Sequence, residues 1–256
     1  MPIEKRCTNF LESLYAERVG SHTPLIFITH SMGGLLVKLA LCEAGRSHNS
    51  RYLQILTNTK GVVFFATPHR GSSLASWGAV LRKVFRASYS ISELQPLTEK
   101  LLNLNSDFGE LNIPSYSFGE SKGLTLVGVV VEDFSAKSGL PNEVFIPVDE
   151  DHFSICKPHT RESQTYHFTY IFLKERLQSV LEDPPGTKEA PTPIYHAPRT
   201  STPNNSNNNN NNISNTTDNK DEANISTGTI AALVGTYFGM AAVALGVVAF
   251  VTKLRK

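Results

Sequence analysis

The chain has 256 residues and sets 24 Lys plus Arg against 23 Asp plus Glu, a formal charge of +1 at pH 7. That balance argues against a nucleic-acid binder, which carries a basic stripe. Cys7, Cys42 and Cys156 are too few and too scattered for a disulfide framework or a thiolate zinc site, so a reducing compartment is the simpler expectation.

The first fourteen residues, MPIEKRCTNFLESL, hold two acids and no apolar run of signal-peptide length. Glu4 to Val19 reads as one helix, so residues 1–22 form a helical lead-in. Residues 23–182 have the pattern of an α/β domain. LIFIT (Leu25–Thr29) is a short apolar strand, and Leu35 to Ala44 has helical composition with apolar residues on more than one face. GVVFFAT (Gly61–Thr67) is a second strand, SYSFGE (Ser115–Glu120) a shorter one, and LVGVVV (Leu126–Val131) a third continuous apolar run. VFIPV (Val144–Val148) fits an edge strand or an extended loop. Glu162 to Leu181 reads as a closing amphipathic helix, with Tyr166, Tyr170, Leu173, Leu177 and Leu181 on one stripe. Continuous apolar strands between helices imply a doubly wound, mostly parallel sheet covered on both faces.

Residues 183–225 are Pro, Ser, Thr and Asn with few large apolar side chains, too little to offset ordering entropy; this is a disordered linker. The segment 226–252 is a transmembrane helix. Its 24 residues from Thr229 to Thr252 carry no charge, and at about 1.5 Å per residue they cross a core of about 30 Å. Gly235 and Gly239 form a G-x-x-x-G pair that can pack against another helix, and residues 253–256 are a basic tail. A span so near the end implies a tail anchor. The domain would face the cytosol, on the mitochondrial outer membrane or the endoplasmic reticulum.

The chemistry begins at the end of the first strand. Thr29-His30-Ser31-Met32-Gly33-Gly34 stands between a strand and a helix, the place of a G-x-S-x-G nucleophile elbow. Gly33 meets the need for a small residue there, whereas Thr29 stands where the pattern has glycine. Ser31 is then the candidate nucleophile, and the Met32 N–H the candidate oxyanion donor. A serine needs a base and an orienting acid, in the chain order Ser, acid, His. Strand LVGVVV ends in Glu132-Asp133, and Asp133 is preferred because Glu132 could still lie within the strand. His152 in VDEDHFSICKP follows the acid and precedes the last helix. His30, His69, His159 and His167 compete less well, because His30 belongs to the elbow and His69 precedes the acid. His69 and Arg70, in TPHRGS, are expected to shape the pocket floor.

The runs PLIFITHSMGGLLVKLAL, TKGVVFFATPHRGSSLA and VFIPVDEDHFSICKP, in this order, resemble the serine active site-containing protein family, lipase-like α/β-hydrolases. The likeness runs from about Thr23 to Leu181. It implies Ser31 as nucleophile and His152 as base. The acid carries over less cleanly, since Phe134 separates Glu132-Asp133 from the Ser-Ala pair. It also implies hydrolases of mitochondria and the endoplasmic reticulum that remodel phosphatidylglycerol acyl chains. Family members carry a longer stretch before the elbow, with the first strands and a second oxyanion donor, where thirty residues precede Ser31 here. The expectation is a membrane-anchored serine esterase acting on a lipid acyl ester, whose serine chemistry requires no metal or organic cofactor. The alternative is a catalytically impaired remnant, also anchored, that binds a lipid or a protein.

Overall fold

The computed structural model describes residues 3–17, 24–70, 103–124, 128–182 and 247–251. Helix α1 (Ile3–Ala16) precedes strand β1 (Leu25–His30), helix α2 (Met32–Arg46), helix α3 (Ser50–Asn58) and strand β2 (Thr59–Phe65). Beyond a helical stretch over residues 103–110 come strand β3 (Ser115–Glu120), the one-turn helix α4 (Asp133–Ala136), strand β4 (Glu143–Val148) and helix α5 (Gln164–Glu182). A strand β5 (Val247–Val251) completes a sheet of order β4-β3-β2-β1-β5. The first four strands run parallel, and β5 lies antiparallel beside β1.

The continuous apolar strands have a direct physical cause. Alternate side chains of a strand point to opposite faces, and here both faces are covered. Leu25, Phe27, Val62 and Phe64 enter a core built with α1, α2, α3 and residues such as Leu104 and Phe108. Ile26, Ile28, Val63 and Phe65 enter the opposite core, with Phe172, Leu173 and Leu177 of α5. Neither face has room for a polar alternation. Helix α2 is likewise buried nearly all round, through Leu35, Val37, Ala40, Leu41, Cys42 and Ala44.

Three strand expectations fare differently. SYSFGE is strand β3 over the residues anticipated, and VFIPV lies in the edge strand β4. LVGVVV is a correction: its described residues 128–131 are loop, with 125–127 outside the described part. Gly128 stands at φ 72°, and the Leu124 and Gly128 main chains exchange hydrogen bonds at 2.9 Å. Val130 and Val131 are then buried with Ala136 in a small satellite cluster. A short apolar run is the mark of burial, and a buried loop satisfies it as well as a strand does.

Strand β5 falls inside the stretch 226–252 read as a membrane-spanning helix. The rest of that stretch, including Gly235 and Gly239, lies outside the described residues, as do 183–225 and 253–256. Among the described residues, no helix is long and apolar enough to cross a membrane.

Gly34 marks the closest approach of α2 to the sheet. A Cβ there would collide with the Thr67 side chain and stand 2.9 Å from Phe64 Cδ1. In an open helix, Gly→Ala gains about 1 kcal/mol, but forcing atoms into a packed core costs about 1–3 kcal/mol. The steric cost wins. Gly34→Ala is expected to lower the unfolding free energy by about 1–2 kcal/mol in urea titrations. A more stable variant would mean that Thr67 swings aside freely.

Lys38, also on α2, is buried; its Nζ donates to Asn105 Oδ1 at 2.8 Å and sits 5.2 and 4.9 Å from the Phe64 and Phe108 ring centroids. Burial pushes its pKa down from 10.5 to about 7. Between those values the unfolded chain binds the extra proton, so stability rises with pH; below about 7 both states are charged and the penalty is complete. Urea unfolding should therefore show a gain in stability from neutral to alkaline pH that Lys38→Met lacks. Identical pH responses would show that Lys38 keeps its proton in the fold.

Candidate active site

The site starts from a bent backbone. Strand β1 ends at His30, and Ser31 takes φ 53° and ψ −127° before α2 begins at Met32. A positive φ is costly for a residue with a Cβ, and it persists only where neighbours enforce it. They do so here. Ser31 N–H donates to Phe65 O at 2.8 Å, and the Ser31 carbonyl accepts from Gly34 N and Thr67 Oγ1, both at 3.1 Å. The turn lifts the Ser31 side chain off the strand end. Thr29, where glycine was anticipated, is fully buried and tolerated because its hydroxyl donates to Val63 O at 2.9 Å on the neighbouring strand.

The parallel register brings distant residues to this edge. His30 pairs with Phe65, Phe65 with Phe118, and Phe118 with Ile146, so positions just beyond these share one end of the sheet. Ser31 follows β1, Glu120 ends β3, and His152 follows β4. Ser31 Oγ lies 3.0 Å from His152 Nε2, and His152 Nδ1 lies 2.7 Å from Glu120 Oε2. All three side chains are buried. The other Glu120 oxygen accepts the main-chain N–H groups of Val130 at 2.6 Å and Val131 at 2.8 Å. These bonds compensate the burial of a charged group, which is otherwise expensive. With Nδ1–H donating to Glu120, His152 Nε2 is left to accept the Ser31 hydroxyl proton.

Ser31 and His152 therefore stand together as anticipated, while the acid does not. Asp133 is exposed and opens the single turn of α4; Glu132 is exposed as its N-cap residue. The carboxylate on His152 belongs to Glu120. The expectation for Asp133 depends on LVGVVV being a strand that presents its following acid at the sheet's C-terminal edge, and its described residues 128–131 are loop. The available signal was the order Ser, acid, His combined with a glutamate closing SYSFGE, itself a correctly placed strand. Met32, as the first residue of α2, has an N–H with no acceptor within its helix, as an oxyanion donor requires.

The remaining histidines divide by environment. His69 is buried against Phe64, its Nε2 3.4 Å from Ser117 Oγ. Burial, with Lys38 and Arg70 nearby, holds its pKa well below the ordinary value. Its backbone and that of Arg70 donate to Ser135 O at 2.7 and 3.2 Å, so the TPHR turn braces α4. His30 Nε2 lies 2.7 Å from the His152 carbonyl oxygen rather than on the serine. His159 is exposed. No group of three His, Cys, Asp or Glu side chains is placed to hold a metal ion among the described residues.

Comparison with known proteins follows this geometry. No family model matches the chain. It is 36% identical over 187 residues to Protein SERAC1 of Mus musculus, covering 70% of this chain and 28% of that protein. SERAC1 of Homo sapiens is 35% identical over 187 residues, with the same coverage, and that of Danio rerio is 34% identical over 182. A structure from work on carboxylesterases of the thaumarchaeon Nitrososphaera gargenis superposes at TM-score 0.46 and 11% identity, over 70% of this chain and 74% of that one. The chain spans less than a third of the length of these SERAC1 relatives. In sequence, the α/β unit of this chain is similar to the SERAC1 proteins.

Proposed function

We propose that the chain is a serine hydrolase acting on an acyl ester. The observation that carries this reading is the unbroken contact from Ser31 Oγ through His152 to Glu120. His152 Nε2 takes the hydroxyl proton as Ser31 Oγ attacks the acyl carbonyl, and then returns it to the leaving alcohol. Water repeats the sequence to release the acid. Glu120 holds the imidazole in the Nδ1–H tautomer and stabilises the imidazolium. The Met32 N–H faces the developing oxyanion, a contribution on the order of a hundredfold or more in rate. No metal or organic cofactor takes part.

A lipid acyl ester is the substrate class we favour, as in phosphatidylglycerol-remodelling hydrolases. Phe153, next to His152, is 47% exposed with its ring 5.6 Å from the histidine ring. An apolar side chain so exposed beside a reacting centre suits an acyl chain. Membrane attachment through residues 226–252 belongs to the same proposal, supported by the uncharged run Thr229–Thr252.

A fluorophosphonate probe tests the chemistry. Labelling of the folded chain should vanish in Ser31→Ala and His152→Ala. Glu120→Gln should slow turnover by about 10⁴-fold, the size seen when a triad acid becomes its amide. Asp133→Asn should leave it nearly unchanged. A folded chain that fails to label is instead a binding module, and a damaging Asp133→Asn would refute the acid assignment.

Attachment is read separately. In cells the chain should stay with the membrane pellet after sodium carbonate extraction, and protease added to intact mitochondria or endoplasmic reticulum should digest the domain. Release by carbonate would favour the pairing of β5 with β1 over a spanning helix.

A further inference from the structure

We propose that His30 is a positioning residue of this site: its Nε2–H holds the His152 main chain where the His152 ring bridges Ser31 and Glu120. The inference rests on the hydrolase reading and assigns a role within it to the residue before the nucleophile.

The His152 turn is well bonded internally. Asp151 Oδ1 accepts Phe153 N–H at 2.8 Å and Ser154 N–H at 3.0 Å, and Ile155 N–H reaches Asp151 O at 3.0 Å. Lys122 N–H, donating to Glu150 O at 3.1 Å, ties the turn to the end of β3. These bonds fix its shape and its distance from Glu120, yet they leave its placement against the elbow to other contacts. His30 supplies one. Its Nε2–H donates to the His152 carbonyl at 2.7 Å, and the two rings lie with centroids 4.9 Å apart at 47°. Because His30 is the last residue of β1, the bond references the base to the same strand that carries the nucleophile.

The geometry also sets the charge. A carbonyl acceptor requires the proton on Nε2, and the imidazole nitrogen in contact with Ser31 Oγ is that of His152. Burial above all, then the neighbouring His152, push the His30 pKa down to about 4, against the upward pull of the carbonyl bond and Glu120; Lys157 adds to the lowering. His30 is thus neutral when His152 carries its proton during acyl transfer. A second imidazolium with its ring centroid 4.9 Å away would oppose that step.

The experiment uses the full chain with His30→Phe and His30→Gln, a fluorophosphonate probe and a p-nitrophenyl ester. A misplaced base costs up to about a hundredfold, so His30→Phe should lower kcat about 10- to 100-fold with KM unchanged. His30→Gln, whose amide can donate to the same carbonyl, should recover most of the rate. Equal kcat in wild type and His30→Phe would overturn the proposal, as would a Gln variant no better than Phe. Nitrogen-15 NMR of the wild type reads the contact without activity. His30 should show a protonated Nε2 and a bare Nδ1, titrating near pH 4. The other tautomer, or titration in the ordinary histidine range, would sink the positioning role. Wild type that shows this signature but does not label would overturn the hydrolase reading while upholding the contact.

Discussion

The site depends on a backbone that its residue would not choose. Ser31 at φ 53° stores strain on the order of 1–3 kcal/mol, and the surroundings are built to hold it there. Its N–H is taken by Phe65 and its carbonyl by Thr67 and Gly34, so both peptide groups flanking the serine are bonded into the next strand or the following helix. Ala66, at the end of that strand, is itself at φ 43° and donates to Phe118 O on β3 at 2.9 Å. Strain at one strand end is thus shared with the next. The two strands that carry the bent turns, β1 and β2, cannot shift independently of each other or of β3.

This coupling explains why the sheet has to be covered on both faces. A half-solvated sheet twists and breathes at its ends, whereas Phe27, Phe64 and Phe65 are wedged between helices on either side. Close packing leaves little freedom, and a site assembled from β1, β3 and the turn after β4 needs that rigidity. Polar groups placed in such a core must find partners. Thr29, Lys38 and Glu120 each do, through Val63 O, Asn105 and the Val130 and Val131 amides.

Much of this was legible because strands and elbows leave local marks. LIFIT, GVVFFAT and SYSFGE announce themselves by composition, and Ser31 and His152 by their place after a strand and by chain order. The acid was not legible by the same rule. Glu120 closes the strand SYSFGE and Asp133 stands beyond the apolar run LVGVVV, and the choice turns on whether LVGVVV is strand or loop. That is decided by the pairing of Gly128 with Leu124, and by where Val130 and Val131 find a core. The role of Thr29 was hidden for a related reason: its fitness depends on a carbonyl in a strand 34 residues away. Long-range partners of this kind have no local signature.

The two amides that hold Glu120 have a consequence for how such a site can diverge. Main-chain N–H groups belong to every residue except proline, so the loop at 130 and 131 solvates the carboxylate without prescribing side-chain chemistry. Valine satisfies the positions by filling the satellite cluster, and other apolar residues of similar volume would serve. The support can therefore drift in sequence while the charge it surrounds stays fixed. Two chains with unlike residues in this loop can keep one geometry, and a substitution to proline would end it whatever its size or polarity.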